Sequence, residues 1–189
     1  MLYSDLMIDI ETLGVDHGSV ITQIGLCAFN ASDGPDSPVE STSFCVDIAM
    51  SLNLGFKVQG NTILWWMRQS DEARAAFIDS QANALTPHTA LSRLQEFWLT
   101  SVHHRGGRVW GNGPTFDIAL LEQYYQRCGL AIPWSYKNVR CLRTLADLHD
   151  PSARLRPSPS VAHEGEADAV AQARWVQAML RGLSWNQNL

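Results

Sequence analysis

The stretch LMIDIETLG, residues 6–14, ends an apolar run with two carboxylates, Asp9 and Glu11, just before Gly14. In an extended chain, residues two apart point the same way, so these carboxylates would lie side by side and repel each other. A divalent cation between them would cancel that repulsion, because hard cations take oxygen ligands. The alternative is that both acids face water where a strand ends. For this pair taken alone, the alternative is favoured.

Length and composition predict one globular domain. The chain has 189 residues, 46% of them hydrophobic, and we expect a single domain over residues 1–189. No apolar run approaches the roughly 18 residues of a membrane span, and the first residues lack the features of a signal peptide. We therefore expect a cytoplasmic protein with no membrane partner. The four cysteines have no CxxC spacing, which indicates neither zinc nor a disulfide framework.

The pattern of residues predicts strands first, then helices with one later strand. Residues 6–10, 20–30 and 41–48 read as strands of an antiparallel meander. Two short helices follow, with Asn61 and Ser70 as candidate N-caps. Thr86 followed by Pro87 predicts the start of a helix that runs to about residue 100.

The second half of the chain continues with a short strand at residues 108–110 and a helix over 116–128 that Gly129 would end. Residues 137–149 lead into a further helix. Residues 150–162 are too rich in proline and serine to be regular and predict a mobile loop. An alanine-rich helix over about 166–180 would finish the domain, with Gly182 just past its end.

Three further polar residues lie at predicted element ends, where functional sites are usually found. Asp117 opens the mid-chain helix, Asp168 lies near the start of the last helix, and His163 precedes Asp168 by five residues. Such a histidine could reach a water held by a cation. Each residue alone reads as a first-turn acid or a loop histidine. Their joint occurrence with Asp9 and Glu11 is what favours a site.

Three short motifs run along the chain: D-x-E-T at residues 9–12, N-x-x-x-F-D at 112–117 and H-x-x-x-x-D at 163–168. This set resembles the histidine branch of the DEDD exonuclease superfamily. Within that branch, residues 62–74 and 138–144 are similar to the exodeoxyribonuclease VIII group and the exonuclease A of large virulent phages. The resemblance implies a ribonuclease-H-like α/β fold, a mixed five-stranded β-sheet flanked by α-helices, and 3′→5′ removal of nucleoside monophosphates.

The resemblance also implies a catalytic set. Asp9, Glu11 and Asp168 would hold one Mg²⁺, and Asp9 would bridge to a second ion that Asp117 holds directly or through water. Mn²⁺ would substitute for Mg²⁺. His163 would be the general base, because an imidazole with an ordinary pKa near 6.5 suits proton removal around neutral pH.

The resemblance further implies residues that contact substrate. They are Thr12, Leu13, Asn112, Phe116, Arg140 and Arg143. The backbone near Thr12 would meet the 3′-hydroxyl. Leu13 would either wedge beside the terminal base or pack on the core. Of Trp65 and Trp66, which point in different directions on a helix, one is expected in the core and the other could stack on bases.

The expected partner is a single-stranded 3′ end, and a homodimer is compatible with these expectations. The net charge of −5 disfavours a protein that coats long duplexes, but two bound divalent ions would bring it to about −1. The exodeoxyribonuclease resemblance favours DNA, and trimming of RNA 3′ ends is the alternative. A non-catalytic relative is disfavoured because all four acids and the histidine are present. A non-haem iron site fails for lack of an HxD or HxE pair.

The chain departs from the pattern of its relatives at two places. Glu164, Gly165 and Ala167 replace the residues usual after the motif histidine, and Cys141 stands where relatives tend to carry aspartate. The catalytic set is intact, so these departures bear on substrate preference and on the packing of the segment that carries His163.

Overall fold

The structure, a computed structural model, describes residues 2–103, 106–149 and 164–186, with side chains described as far as residue 182. The strands of the described chain are β1 (Asp5–Thr12), β2 (Ile21–Phe29), β3 (Glu40–Cys45), β4 (Arg108–Gly111) and β5 (Val139–Cys141). The helices are α1 (Ile48–Asn53), α2 (Gly60–Met67), α3 (Asp71–Ala82), α4 (Pro87–Ser101), α5 (Asp117–Cys128), α6 (Leu142–His149) and α7 (Gly165–Asn186).

The five strands form one mixed sheet in the order β3-β2-β1-β4-β5. The meander β1-β2-β3 is antiparallel, whereas β4 and β5 run parallel to β1. The predicted fold class, an α/β fold with a five-stranded mixed sheet flanked by helices, is confirmed. Because β1 and β4 are parallel neighbours, their carboxyl ends lie at the same edge of the sheet, which is where ligands bind in open α/β sheets.

The two faces of β1 pack on different helices. Leu6, Ile8 and Ile10 belong to the larger apolar cluster, which includes residues of α4 and α5. Met7, two positions before Asp9, belongs to a smaller cluster with Ala173 of α7. Since side chains alternate along a strand, the carboxylates of β1 face the α7 side of the sheet.

Three predicted boundaries are wrong, each for a local reason. The third strand ends at Cys45 because Asp47 caps α1, accepting a hydrogen bond from the backbone N–H of Met50. Asn61 is not an N-cap, because α2 begins at Gly60 with Gln59 in the cap position. Gly182 does not end the last helix, which runs to Asn186. A Cβ at residue 182 would lie 2.7 Å from Nε2 of His149, so this glycine lies against the end of the last side chain of α6.

Other predictions of local structure are confirmed. Ser70 and Thr86 cap α3 and α4 through their side-chain oxygens, and Gly129 ends α5 in the left-handed conformation. All four cysteines are free. Among the described residues, no helix has the length and apolar character needed to cross a membrane. The predicted mobile loop at 150–162 lies outside the described residues, and a single domain over 1–189 stays a prediction.

Candidate active site

Three carboxylates from two elements meet at the end of the central strand. Asp9 and Glu11 come from β1, and Asp168 comes from the first turn of α7. One carboxylate oxygen from each residue lies within 4.8 Å of those of the other two. All three residues are half-buried. The trio offers the oxygen ligands that hard divalent cations take.

The electrostatics of the pair on β1 show how crowded this cluster is. Burial raises the pKa of Glu11 to about 7, and the negative charges of Asp168, Asp117 and Glu164 add to the effect. Burial also raises the pKa of Asp9 well above its ordinary value, with the charge of Asp117 as the next cause. A bound cation would offset both causes, because it favours the ionised carboxylates.

Asp117 lies beside this trio without belonging to it. It opens α5 and is only 7% exposed. A Cβ on Gly111, the last residue of β4, would lie 3.2 Å from Oδ2 of Asp117, so the carboxylate rests on the end of that strand. Burial raises the pKa of Asp117 to about 7, although the positive charge of Arg143 opposes the shift. The acid is therefore placed to act together with the trio.

Gln172 joins the cluster from α7, one helical turn after Asp168. Its Nε2 donates a hydrogen bond to Oδ1 of Asp9 at 2.7 Å. Its Oε1 is buried and has no hydrogen-bond partner among the described residues. A buried acceptor without a donor is costly, and a hydrated cation held by the neighbouring carboxylates would bring donors to it. The residues present therefore fit a divalent metal.

The start of α7 is tied to the sheet by several polar contacts. The backbone N–H of Gly165 donates to Oε1 of Gln23 at 2.9 Å, and the hydroxyl of Ser41 donates to Glu166 at 2.7 Å. Glu164 caps the helix by accepting from the backbone N–H of Ala167 at 2.8 Å. Two departures from the relatives' pattern, Glu164 and Gly165, thus hold in place the helix turn that carries Asp168.

Cys141, at the other place where the chain departs from its relatives, has a comparable local role. Its sulfur accepts a hydrogen bond from the backbone N–H of Thr144, in the first turn of α6, at 3.4 Å. An aspartate in this position would cap the helix more strongly, because a carboxylate is a better acceptor than a thiol.

The predicted substrate-binding residues next to β1 are held by the turn that follows the strand. The hydroxyl of Thr12 donates to the backbone oxygen of Gly14 at 2.6 Å. The side chain of Leu13 is only 4% exposed and belongs to the larger apolar cluster. In this structure Leu13 packs on the core, and its role beside a terminal base stays a prediction.

The predicted residues around Asp117 lie in β5 and in the segments that follow β4 and β5. Arg143 donates to the backbone oxygen of Asn112 at 2.9 Å, which brings its guanidinium to the loop before α5. Phe116 is half-buried against the larger cluster. Arg140 donates to the backbone oxygens of Lys137 and Val139, both at 2.9 Å. These contacts give no evidence of substrate binding, which stays a prediction for each residue.

A cavity of about 330 Å³ opens beside the trio. Its walls include the acids Glu11 and Glu164 and the aromatic residues Trp66 and Phe77. The rings of Trp66 and Phe77 are stacked, with centroids 4.6 Å apart. Trp65, which is 39% exposed, does not line the cavity. Of the two neighbouring tryptophans, Trp66 is thus the one next to the acids.

The sequence reasoning missed Gln172, Gln23 and Gly25. Gln172 follows Asp168 by four residues, and this helical spacing could have indicated that it shares the face of Asp168. Neither Gln23 nor Gly25 carries a comparable signal, because their importance comes from the register of β2 against β1 and α7. His163, the predicted general base, lies outside the described residues.

Comparison with known proteins identifies the family. The family described as the 3′-5′ exoribonuclease Rv2179c-like domain matches residues 4–180. The chain belongs to this family. The finer resemblance to the exodeoxyribonuclease VIII group is unconfirmed. No protein among the curated sequences matches the chain.

Similar solved structures are those of exonuclease I. A product-bound form has a TM-score of 0.63 at 14% identity, and the alignment covers 100% of this chain and 45% of the exonuclease I chain. A structure described as suggesting how processivity is achieved has a TM-score of 0.68 at 14% identity, covering 98% and 43%. A zinc-bound complex of the Escherichia coli enzyme with single-stranded DNA has a TM-score of 0.65 at 15% identity, covering 100% and 42%.

These likenesses establish the fold of the chain. It is the ribonuclease-H-like fold of the exonucleases, as the sequence motifs imply. The chain spans less than half the length of each of these three structures.

Proposed function

We propose that this chain is a metal-dependent 3′→5′ exonuclease that hydrolyses phosphodiester bonds at single-stranded 3′ ends. The observation that carries the proposal is the cluster of three carboxylates at the end of the central strand. One carboxylate oxygen each of Asp9, Glu11 and Asp168 lies within 4.8 Å of the other two. Family membership supports the reaction class. A non-catalytic relative would have no need for half-buried carboxylates whose mutual repulsion must be offset.

The proposed cofactor is Mg²⁺, with Mn²⁺ as a substitute. Asp9, Glu11 and Asp168 would hold one ion, and Asp9 with Asp117 would hold a second. Bound divalent ions orient the scissile phosphate and neutralise the negative charge that develops during displacement. The proposed role of His163 is to take the proton from the attacking water.

The cavity beside Glu11 is the proposed site of a nucleobase at the strand end. Its aromatic wall at Trp66 and Phe77 is the kind of surface on which bases stack without sequence preference. Because Glu11 both lines the cavity and belongs to the trio, a nucleotide could place its base there with its phosphate at the carboxylates. An unpaired base enters such a cavity more readily than a stacked and paired one.

RNA is the first substrate to test, since the family description names an exoribonuclease. DNA is the second, on the strength of the resemblance to the exodeoxyribonuclease VIII group. The discrimination between the two sugars depends on contacts to the 2′ position.

Digestion of matched RNA and DNA oligonucleotides, each labelled at the 5′ end, tests the proposal. A ladder that shortens from the 3′ end in Mg²⁺ or Mn²⁺, and stops in excess chelator, is the expected result. A blunt duplex of the same sequence serves as control and should be degraded more slowly. Binding of the strands without any cleavage would instead identify a non-catalytic relative, and full turnover in chelator would contradict metal dependence.

A further inference from the structure

Gln172 contacts the candidate metal site although it is not an acid. It lies on α7 four residues after Asp168, so both side chains project from the same face of the helix. Its amide nitrogen donates to Oδ1 of Asp9 at 2.7 Å. This bond links α7 directly to the central strand, across the space where the carboxylates converge.

The chemistry of this contact sets which end of the amide faces the acid. An ionised carboxylate only accepts hydrogen bonds, so the NH₂ group must point to Asp9 and the amide oxygen must point away. A hydrogen bond from a fixed donor restricts the rotation of the carboxylate about its terminal torsion. That torsion is otherwise broad, with no single preferred angle.

We propose that Gln172 is a positioning residue that holds the carboxylate of Asp9 in the orientation needed for metal binding. The inference rests on the proposed function, because it takes the trio of acids to be a metal site. Gln172 acts through Asp9 and touches neither substrate nor the reacting atoms in this role. Partners that orient metal ligands in this way typically contribute 10- to 100-fold to metal affinity.

A purely structural role for Gln172 is the competing interpretation, and α7 offers a matched control. Gln177 lies on the same helix, is fully buried and donates to the backbone oxygen of Asn30 at 3.1 Å. Its amide oxygen accepts from Arg174 at 3.2 Å, so the amide contacts residues away from the acids and its loss should leave the carboxylates in place. Methionine replaces either glutamine with a side chain of similar length that has no donor.

The experiment measures Mn²⁺ binding by calorimetry in the wild-type chain, Gln172→Met and Gln177→Met, with thermal unfolding of each metal-free protein alongside. We expect Gln172→Met to bind Mn²⁺ about 10- to 100-fold more weakly. Gln177→Met should keep wild-type affinity even if it unfolds at a lower temperature. In activity assays, Gln172→Met should need a higher Mn²⁺ concentration for half-maximal rate.

The outcomes separate this inference from the proposed function. Wild-type Mn²⁺ affinity in Gln172→Met, or an equal loss in Gln177→Met, would overturn the positioning role. A wild-type chain that binds Mn²⁺ but cleaves no strand end would contradict the proposed function while the affinity comparison still decides the role of Gln172. A wild-type chain that binds no Mn²⁺ would overturn both.

Discussion

Gly165, the first residue of α7, lies with its backbone directly against Gly25 of β2. A Cβ added to Gly25 would lie 2.0 Å from both the carbonyl carbon and the carbonyl oxygen of Gly165. Gly25 is also the residue paired with Asp9 across the sheet. The absence of a side chain on Gly25 thus brings the helix turn that carries Asp168 onto the strand next to Asp9 and Glu11.

Gly25→Ala is therefore expected to displace the start of α7. The new methyl group would meet backbone atoms, which cannot move aside as the end of a side chain can. Overpacking of this kind costs about 1–3 kcal/mol or more, and thermal or denaturant unfolding measures the loss. Mn²⁺ affinity should fall as well, because Asp168 moves with the helix.

Gly60→Ala is the matched control for this change. A Cβ at Gly60 would meet no atom within 4 Å, and the residue is the first of α2. Stability and Mn²⁺ affinity should be retained in this variant. Equal behaviour of the two variants would show that the contact between Gly25 and Gly165 does not position the acids.

Replacement of an acid of the trio should separate stability from activity. Asp168→Ala and Asp9→Ala are each expected to reduce the cleavage rate by at least about a thousandfold, as when the metal clamp is lost. Asp168→Ala also removes a negative charge that repels Glu11. Loss of this repulsion should not lower the stability of the metal-free protein. Rates and unfolding temperatures compared with Asp79→Ala, an exposed acid of α3, check both points.

The raised pKa values of Glu11 and Asp117, both about 7, predict how stability depends on pH without metal. These pKa values lie above the ordinary values of 4.5 for Glu11 and 3.8 for Asp117. Between its ordinary and its raised pKa, each carboxyl therefore binds more protons in the folded state than in the unfolded state. This contribution to stability is fully present below about pH 4 and is lost as pH rises to about 7. Each group contributes a slope of at most about 1.4 kcal/mol per pH unit.

Denaturant unfolding between pH 5 and 8, with and without Mn²⁺, measures this effect. The decline should be shallower in Glu11→Gln, which cannot ionise at this position, and in saturating Mn²⁺, which stabilises the ionised carboxylates. Stability that rises over this range in the metal-free protein would contradict the cause given for the raised pKa values.

The cavity beside Glu11 can be filled without touching the acids. Ala76 of α3 lines it, whereas Ala75 on the same helix does not. Ala76→Leu should weaken binding of a single-stranded 3′ end by about tenfold, within the range expected from a stacking contribution of about 1–3 kcal/mol per base. Mn²⁺ affinity should not change. Ala75→Leu should bind the strand as the wild type does, and an equal loss in both variants would argue against base binding in the cavity.

His163→Ala tests the proposed general base. General base catalysis contributes roughly 10²–10⁴-fold to a rate, and turnover should fall by that factor while binding of the 3′ end is retained. The rise of rate with pH through the titration of the imidazole should disappear in the variant. A variant with unchanged turnover and the same pH profile would identify His163 as an ordinary loop histidine.

The sequence by itself determined the elements whose patterns are local. The alternation LMIDIE places Asp9 and Glu11 on one face of a strand, the caps at Ser70 and Thr86 begin their helices, and Gly129 ends α5. These features depend on neighbours within a few residues, so they can be predicted from residue type and spacing. The three short motifs likewise identified the four candidate acids, Asp9, Glu11, Asp117 and Asp168, from the sequence alone.

Only the tertiary structure decided how those acids come together. Asp9 and Asp168 are more than 150 residues apart in the chain. Their meeting depends on the contact between Gly25 and Gly165 and on the hydrogen bond that the backbone N–H of Gly165 donates to Gln23. The raised pKa values of Glu11 and Asp117 arise from burial, which a sequence pattern does not give. Leu13 faces the core for a similar reason: two hydrogen bonds of its backbone, to Val20 and Gln59, fix the turn after β1. Contacts between segments distant in the chain therefore determined the geometry of the site.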